Sequence, residues 1–493
     1  MSTLRIRAAN ERPIRSRGDY VLYWMIGTRR TTWSHALDHA IARARELAVP
    51  LLVFEPLRAG YEWASDRFHA FVVQGMADNT HAFESAGITY VPYVEPEPGA
   101  GSGLLEALAA HARVVITDEQ PGFFQPRMIA AVAERLDVLL EVVDSCGVLP
   151  LRALDRAYPT ASSFRRQLQR HLIPHLLARP SVTPLAKLPK TLQDAELPAA
   201  VLRRWQPATA TLLTGTAAAL ADLRIDHGVR PVHYRGGSVA AQATFASFVR
   251  GKLSRYGEER SDPDADAASG LSPYLHFGHI SVHEIVSKIL ARAHWDPSRS
   301  AGAKVTGSRE GWWGVEVNTE SFLDEIITWR ELGYGFCYHR EDFGTWSALP
   351  SWARTTLDAH KTDPRPERYT RRELEEARTG DEIWNAAQRE LVADGRIQNY
   401  LRMLWGKKIL EWTASPKVAL EVMIELNNKY AVDGRDPNSY SGIFWTLGLF
   451  DRAWGPVRPI FGTIRYMSSA STRRKLKLKR YLARWGMQQK LLD

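Results

Sequence analysis

The sequence predicts an α/β domain with a doubly wound parallel sheet, followed by a larger all-α domain. Residues 18–150 alternate short β-rich runs with amphipathic helical stretches, the βαβ rhythm typical of a parallel sheet. From residue 226 onward, nearly every stretch has helical periodicity instead. A chain of 493 residues also exceeds one ordinary hydrophobic core. We therefore predict an α/β domain over 18–150, a connector over 151–225 and a helical domain over 226–493.

The elements of the first domain follow from runs of β-branched and aromatic residues that separate helical patterns. The predicted strands are Tyr20–Met25, Pro50–Phe54, Ile88–Val94, Val114–Thr117 and Val138–Val143. The predicted helices include Thr32–Leu47, Leu104–His111 and Met128–Leu136. Glycines at 99, 101 and 103 lie between a strand and a helix, where phosphate loops occur, but they lack the GxGxxG spacing. We favour a plain loop there.

The connector is rich in proline, which interrupts long helices, so we expect only short helices between residues 151 and 225. Beyond it, apolar residues recur at helical spacing, and Gly and Pro punctuate the gaps. The predicted helices of the second domain include Ala240–Tyr256, Glu320–Phe336, Glu382–Val392, Gln398–Trp412 and Pro416–Lys429.

The formal charge of +9 favours an anionic partner, of which nucleic acid is the commonest. A basic surface without such a partner remains the alternative. The 16 tryptophans suit stacking on bases, although core packing explains most aromatic residues in most proteins. Composition therefore suggests nucleic acid without deciding for it.

Several classes of protein fit the sequence poorly. No apolar run reaches the roughly 18 residues that span a bilayer, and residues 1–17 lack the apolar core of a signal peptide. The two cysteines, Cys146 and Cys337, form no disulfide framework and are too few for an iron–sulfur cluster. We expect a cytoplasmic protein, associated with the nucleoid if the source is bacterial.

Motifs of hydrolases, P-loop proteins and zinc enzymes are absent. His276, His279 and His283 lie close together in sequence, but we favour ordinary structural histidines and predict no metal site. Chemistry therefore requires a diffuse acid–base site or an organic cofactor.

The segment from Ser269 to Gly278, SGLSPYLHFG, resembles the flavin phosphate-binding segment of the photolyase and cryptochrome superfamily. Small and hydroxyl-bearing residues at a helix start leave backbone N–H groups available to a pyrophosphate. Alone, Ser-Pro before a helix is an ordinary capping signal. The length of the match is what favours the flavin interpretation.

Four further segments resemble the class II cyclobutane pyrimidine dimer photolyases: Asp381–Gln388, Asn399–Trp412, Asp433–Asn438 and Phe461–Met467. The resemblance is strong over residues 235–470 and looser in the first domain. It implies that a monomeric enzyme binds FAD and repairs pyrimidine dimers in double-stranded DNA, using an electron from the photoexcited reduced flavin. The first domain then becomes an antenna domain, a candidate site for a second chromophore of the deazaflavin type, whose identity these residues leave open.

The resemblance also implies a cofactor set. The flavin diphosphate and ribityl chain would contact Tyr256, Ser269, Gly270, Leu271 and Ser272. Beside the flavin ring it places an Arg402–Asp433 salt bridge, Asn427 near N5, and Asp436. A guanidinium, which is always charged, suits this place because it stabilises a reduced, anionic flavin.

Trp384, Trp405 and Trp412 match the electron-transfer tryptophans of the family. Trp405 and Trp412 are seven residues apart on one predicted helix, about 10.5 Å of axial rise on nearly the same face. Core packing of an apolar stripe is the alternative, and only the family match favours a ladder for electrons.

The substrate pocket of the family corresponds to Glu325, Trp329, Met403 and Trp445. The carboxylate would bond to the thymine edges while indoles stack on a flipped pyrimidine pair. Flipping costs a few kcal/mol, less for a lesion that already pairs poorly, and stacking returns about 1–3 kcal/mol per base. The last implied residues are Trp454 and Arg465, which would fill the gap left in the duplex.

The sequence departs from the family pattern in two places. His283-Glu284 replaces a Gln-Arg pair, which would weaken a phosphate or base contact, and Gly333-Tyr334-Gly335 replaces a more polar run. The main rival function is a cryptochrome-like photoreceptor that acts through a protein partner; such a protein has no need of the pocket residues. A flavin oxidoreductase lacks a nicotinamide fingerprint, and a non-enzymatic DNA-binding protein has no need of the tryptophans.

Overall fold

The computed structural model describes residues 2–300 and 304–486, which divide into two compact units. The first unit comprises Met1–Asp155, Arg170–Ala246 and Leu271–Pro297. The second unit comprises Arg156–Gln169, Ser247–Gly270 and Ser298–Asp493. These divisions fall at other positions than the sequence blocks 18–150, 151–225 and 226–493, which remain a prediction about domains.

The first unit contains a six-stranded sheet in the order β1-β6-β5-β2-β3-β4. Its strands are β1 (Ile6–Ala8), β2 (Tyr20–Trp24), β3 (Leu51–Leu57), β4 (Thr89–Val94), β5 (Ala112–Asp118) and β6 (Leu140–Val143). All pairs are parallel except β1 with β6. The α/β class predicted from the alternating pattern is confirmed.

The central strand β2 shows why this sheet needs helices on both faces. All of its five residues are buried. Because side chains alternate along a strand, Tyr20, Leu22 and Trp24 join one apolar cluster, and Val21 and Tyr23 join another. The helices of this region are α1 (His35–Leu47), α2 (Asp66–Ser85), α3 (Leu104–Ala109) and α4 (Gln125–Arg135). The first cluster includes apolar residues of α3 and α4, and the second includes those of α1.

Two features near the connector differ from the sequence prediction. The three-residue edge strand β1 lies in the basic N-terminal stretch, where no run long enough to predict a strand exists. Helix α5 (Ala161–Leu177) continues past Pro174 for its final turn, although proline was expected to keep the connector helices short. The segment that follows contains α6 (Ala199–Arg204) and α7 (Ala217–Leu220). The glycine loop is a turn in which the N–H groups of Gly99 and Gly101 donate to Glu95 Oε1 at 3.0 and 3.1 Å.

The remaining described chain is helical, as predicted. Its helices are α8 (Ser238–Gly251), α9 (Tyr256–Glu259), α10 (Ser272–His276), α11 (Val282–Arg292), α12 (Val317–Leu323), α13 (Arg330–His339), α14 (Ser351–Ala359), α15 (Arg371–Glu375), α16 (Glu382–Asp394), α17 (Asn399–Trp412), α18 (Pro416–Tyr430), α19 (Pro437–Thr446), α20 (Ser469–Lys475) and α21 (Lys479–Trp485). Short 3₁₀ turns cover Thr3–Arg5, Leu151–Ala153, Lys190–Leu192, Leu212–Thr214, Leu253–Arg255, Pro297–Arg299 and Trp346–Ala348. No helix in the described ranges is long and apolar enough to cross a membrane.

Helices α16, α17 and α18 match the predicted ranges to within two residues because side chains mark their first turns. Asp381 accepts the N–H groups of Ile383 and Trp384, and Ser415 accepts that of Val418. Predicted helix 320–336 is instead interrupted by a π-helical stretch, Asp324–Trp329, between α12 and α13. Local π-helical turns are frequent at functional sites, and this one carries Glu325 and Trp329.

Candidate active site

Helix α17 carries residues of three predicted roles within two turns. Arg402 and Met403 are half-buried, whereas Trp405 and Lys407 are buried. Successive residues on a helix point about 100° apart, so one helix serves several faces. Helix α17 packs against α16, α18 and α19, which carry Trp384, Asn427 and Trp445 respectively.

The predicted ion pair is present: Arg402 Nη2 lies 3.4 Å from Asp433 Oδ1. Both side chains keep some exposure, and this contact engages only one nitrogen of the guanidinium fork, so further donors are available to an anionic ligand. Asn427 is buried on α18, where its Nδ2 donates to Ser439 Oγ at 2.7 Å and to Asn428 Oδ1 at 3.2 Å. The positioned cation fits an anionic flavin, whereas the fixed Asn427 amide has both N–H groups engaged within the chain and keeps Oδ1 as an acceptor.

Asp436 has a structural task within the chain. It caps α19 by accepting the N–H of Asn438 at 2.8 Å, and it accepts the hydroxyl of Tyr334 at 2.8 Å. The departure at Gly333 has a related physical reason, because a Cβ there would lie 2.9 Å from Ser441 Oγ and 3.1 Å from Asn438 Cα. Glycine therefore permits close packing of α13 on α19.

Tyr256, predicted to contact the cofactor, is connected to Glu325, predicted to contact the substrate. The connection is Arg260, whose Nη1 lies 2.6 Å from Glu325 Oε1 and whose guanidinium lies over the Tyr256 ring at 5.6 Å. Burial raises the pKa of Tyr256, and the nearby Glu325 carboxylate raises it further. Burial also raises the pKa of Glu325 even though Arg260 opposes the shift. Sequence reasoning missed Arg260, which belongs to no recognised motif.

The predicted phosphate segment divides between the two units. Ser269 and Gly270 belong to the second unit and Leu271 and Ser272 to the first, so they are described apart. Gly270 has φ of +70°, a backbone conformation that favours glycine. Leu271 is buried, and Ser272 is exposed at the start of the five-residue helix α10.

The three predicted electron-transfer tryptophans are among the most buried side chains: Trp384, Trp405 and Trp412 are 0%, 2% and 3% exposed. The rings of Trp384 and Trp412 lie 5.4 Å apart between centroids, edge to face. Trp384 Nε1 donates to the carbonyl of Trp405 at 3.0 Å, and Trp405 Nε1 donates to Gln388 Oε1 at 2.8 Å. The direct ring contact is thus between helices α16 and α17, not along α17.

The four predicted pocket residues share partial burial: Glu325, Trp329, Met403 and Trp445 are all half-buried. They lie on the π-helical stretch, α17 and α19. Helix α19 packs against both α13, which continues the π-helical stretch, and α17. The four side chains therefore lie on helices that pack together, and each remains partly accessible to solvent.

The segment after α19 combines aromatic and basic residues. Asp451 accepts two hydrogen bonds from Arg465, at 2.8 and 3.0 Å, and one from Trp454 Nε1 at 3.1 Å. The Arg465 guanidinium lies over the Trp454 ring at 3.9 Å and over Trp445 at 5.6 Å. The carboxylate of Asp451 thus holds Trp454 and Arg465 in place, and Arg465 in turn lies beside Trp445. Sequence reasoning missed Asp451.

Two of the three clustered histidines, His279 and His283, are buried in the first unit. Burial lowers the pKa of His279 to about 3 and that of His283 well below its ordinary value. His283 Nε2 lies 3.2 Å from Arg5 Nη2, and Glu284 binds Lys288 at 2.6 Å. The departure from the family's Gln-Arg pair is therefore internal to the first unit. The described residues contain no His, Cys, Asp and Glu cluster suited to a metal ion.

No protein-family model matches the chain. Curated relatives do. The deoxyribodipyrimidine photolyase of Methanothermobacter thermautotrophicus is 34% identical over 481 residues, 97% of each chain. Enzymes of the same name from Oryza sativa subsp. japonica and Arabidopsis thaliana are 31% and 30% identical, covering 94% of this chain and 87% and 88% of theirs.

Solved structures agree on the fold. A bacterial class III photolyase from Agrobacterium tumefaciens has a TM-score of 0.65 at 18% identity, covering 96% of this chain and 87% of its own. A cryptochrome of Synechocystis sp. PCC6803 has a TM-score of 0.64 at 15% identity, covering 96% and 89%. Such low identities establish the fold alone. The full-length sequence relatives decide the rest: the chain belongs to the deoxyribodipyrimidine photolyase family of DNA-repair enzymes.

Proposed function

We propose that this enzyme repairs cyclobutane pyrimidine dimers in double-stranded DNA by light-driven electron transfer, with FAD as its cofactor, in the manner of the class II enzymes its motifs resemble. The observation that carries the proposal is helix α17. Within two turns it presents a half-buried cation paired with Asp433, the half-buried Met403 and the buried Trp405. The residues that we propose for cofactor binding, substrate contact and electron relay therefore lie together on one helix.

The cofactor residues would be Tyr256, Arg402, Asn427, Asp433 and Asp436, together with the segment at residues 269–272. When bound, reduced FAD supplies on excitation the electron that opens the cyclobutane ring, and no net redox change results. Arg402 places a permanent positive charge where a reduced flavin is anionic, and Asp433 orients the guanidinium. The buried Asn427 amide, fixed by Ser439, offers a polar contact.

Glu325 would form hydrogen bonds with the edges of the pyrimidines. Burial raises the pKa of its carboxyl group, and the nearby Arg260 opposes that shift. Arg260 Nη1, 2.6 Å from Glu325 Oε1, fixes the orientation of the carboxyl group. Trp329 and Trp445 would stack on the flipped pyrimidines, and Trp454 and Arg465 would occupy the gap in the duplex.

Trp384, Trp405 and Trp412 would pass electrons inward by short steps. The edge-to-face contact of Trp384 and Trp412 and the hydrogen bond from Trp384 to the Trp405 backbone support this relay, because they connect the three buried residues. Their role is to recharge the enzyme, and it is separate from contact with DNA.

A cryptochrome-like photoreceptor that acts through a protein partner is the second candidate, since a cryptochrome matches the fold about as well as a photolyase does. We further propose a monomer that acts on DNA in the cytoplasm. The α/β region over 18–150 would serve as the antenna domain, 151–225 as the connector and 226–493 as the catalytic domain. The candidate chromophore for this antenna domain is of the deazaflavin type.

The decisive experiment illuminates the reduced protein with a duplex that carries one thymine dimer and measures loss of the dimer. We expect repair by the parent and about tenfold slower repair by Glu325→Ala, the effect of removing one hydrogen bond to a charged or strongly polar partner. Glu341→Ala, at an exposed position, is the matched control. Absence of repair in the parent under light would leave the photoreceptor as the better proposal.

The cofactor assignment has its own test. Arg402→Ala should lose flavin on purification or retain it with a destabilised reduced form, because the positive charge beside the ring is gone. Flavin content and reduction potential measure this, with Arg396→Ala, a partly exposed arginine of the same unit, as control. Normal flavin retention and photoreduction in Arg402→Ala would contradict the role of the pair.

A further inference from the structure

Lys407 is a fully buried lysine, 0% exposed, in a helix whose other charged residues keep some exposure. Burying an ammonium is costly unless it is paired, so lysine is rarely found in this state. Its Nζ donates to the carbonyl of Thr446 at 2.5 Å. Neither the predicted cofactor set nor the predicted pocket uses this side chain.

Thr446 is the last residue of α19, and Trp445 precedes it. The carbonyl groups at a helix C-terminus carry partial negative charge, which a cation stabilises. Close approach of the two helices here depends on Gly406, where a Cβ would lie 2.7 Å from Thr446 Cγ2. Lys407 therefore ties α17 to the end of α19 that bears Trp445.

The ammonium also faces the indole of Trp445. Lys407 Nζ lies 5.4 Å from the ring centroid, within the range of a cation–π contact, and the Arg465 guanidinium lies 5.6 Å from the same ring. Arg465 is itself held by Asp451. Trp445 thus has one cation buried beneath it and one near the surface, while the indole keeps partial exposure.

We propose that Lys407 is a positioning residue for Trp445: its ammonium fixes the indole for stacking on a flipped pyrimidine, so that discrimination between damaged and undamaged DNA depends on its charge. The proposal rests on the proposed function, since it assumes that Trp445 contacts the lesion. Lys407 itself need not touch DNA.

The charge of Lys407 changes in an accessible pH range. Burial lowers its pKa to about 7, with nearby Asp451 opposing and Arg465 adding to the shift. These are the charged groups that face Lys407 in the described chain, both on the segment after α19. The ammonium is present below pH 7 and is lost above it. Lesion preference should therefore fall as pH rises from 6 to 8.5.

The experiment compares dissociation constants for matched duplexes with and without one thymine dimer. The lesion preference is the dissociation constant of the undamaged duplex divided by that of the duplex with the dimer. Lys407→Met, which keeps the apolar stem, should lower this ratio about tenfold, the size of one stacking contact, without weakening the binding of undamaged DNA. Lys408→Met is the matched control, because this neighbouring lysine pairs with Glu411 and lies over Trp412 instead. The control should keep the parent ratio.

The pH profile gives a readout that a merely structural role would not move. The parent ratio should fall across pH 6 to 8.5 with a midpoint near 7, and Lys407→Met should give a low, flat profile. A variant ratio equal to that of the parent, or a pH-independent parent ratio, would overturn the proposal. The parent profile decides the matter even if Lys407→Met does not fold. A parent that shows no dimer preference at pH 6 would instead refute the proposed function.

Discussion

Two sets of tryptophans in the second unit differ in exposure and in the contacts of their indole groups, although a lysine, Lys408, also lies over Trp412 of the first set. Trp384, Trp405 and Trp412 are buried, and the indole N–H groups of the first two donate to acceptors of the chain itself. Trp445 and Trp454 are half-buried, and cations face their rings: Lys407 and Arg465 at the first, Arg465 and Arg452 at the second.

The difference matches two different physical tasks. Passing an electron requires rings held close together in a dry interior, and the Trp384–Trp412 contact provides this. Stacking on a base requires one accessible ring face held at a fixed angle, and flanking cations can fix an indole without covering all of it. The environment of a tryptophan, more than its presence, therefore separates the two proposed roles.

The largest effect on stability should come from truncating a tryptophan of the buried set. Trp384→Ala should lower the free energy of unfolding by about 3–5 kcal/mol, because it leaves a cavity and removes the donor to the Trp405 carbonyl. Trp346→Ala, at a half-buried tryptophan outside both sets, should cost far less. Denaturant unfolding of both variants checks this. If both variants lost the same free energy of unfolding, the buried tryptophans would be loosely packed, and the difference inferred between buried and half-buried tryptophans would be wrong.

Removing a partly exposed ring should instead act on binding. Trp445→Ala should reduce the preference for dimer-containing DNA by about 1–3 kcal/mol, the value of one stacked base, with little change for undamaged DNA. Titrations of the matched duplexes, again with Trp346→Ala as control, measure it. If Trp445→Ala weakened both duplexes equally, the flipped-dimer pocket would be wrong.

A conservative change in the buried set should separate relay from repair. Trp405→Phe should slow photoreduction of oxidised enzyme but leave repair by chemically pre-reduced enzyme mostly intact. Its cost in stability should be about 1–3 kcal/mol, since Gln388, which is buried, loses its donor. Flash photoreduction and repair assays on one preparation test both parts. Photoreduction at the parent rate would return Trp405 to a packing role.

Changes in surface charge should leave the preference for damaged over undamaged DNA unchanged. Arg473, Arg474, Lys475, Lys477, Lys479 and Arg480 are all exposed. Replacing Arg474, Lys477 and Lys479 by glutamine should weaken damaged and undamaged duplexes alike. The slope of log affinity against log salt should flatten by about 0.9 for each phosphate that the variant no longer neutralises. A changed ratio between the duplexes would show that this cluster contributes to lesion recognition.

Much of the site was accessible from sequence because its residues lie in contiguous motifs. Helices α16, α17 and α18 have clear apolar periodicity and capping side chains, so their bounds could be predicted closely. The Arg402–Asp433 pair followed from the resemblance and is present. The π-helical stretch at Asp324–Trp329 could not be predicted, since an inserted turn keeps the same composition as the helix around it.

The sequence by itself determined that an α/β region precedes an all-α region and that the chain belongs to a repair family. It also determined which tryptophans match the motifs of that family. Tertiary structure alone decided which tryptophans touch: spacing along α17 suggested Trp405 and Trp412, but the rings in contact are Trp384 and Trp412. It alone revealed that Asp451 holds Arg465 and Trp454, and that Lys407 lies buried beneath Trp445. The physical reason is that periodicity reports neighbours within one helix, whereas burial, charge pairing and the pKa values they shift arise from neighbours that are distant in sequence.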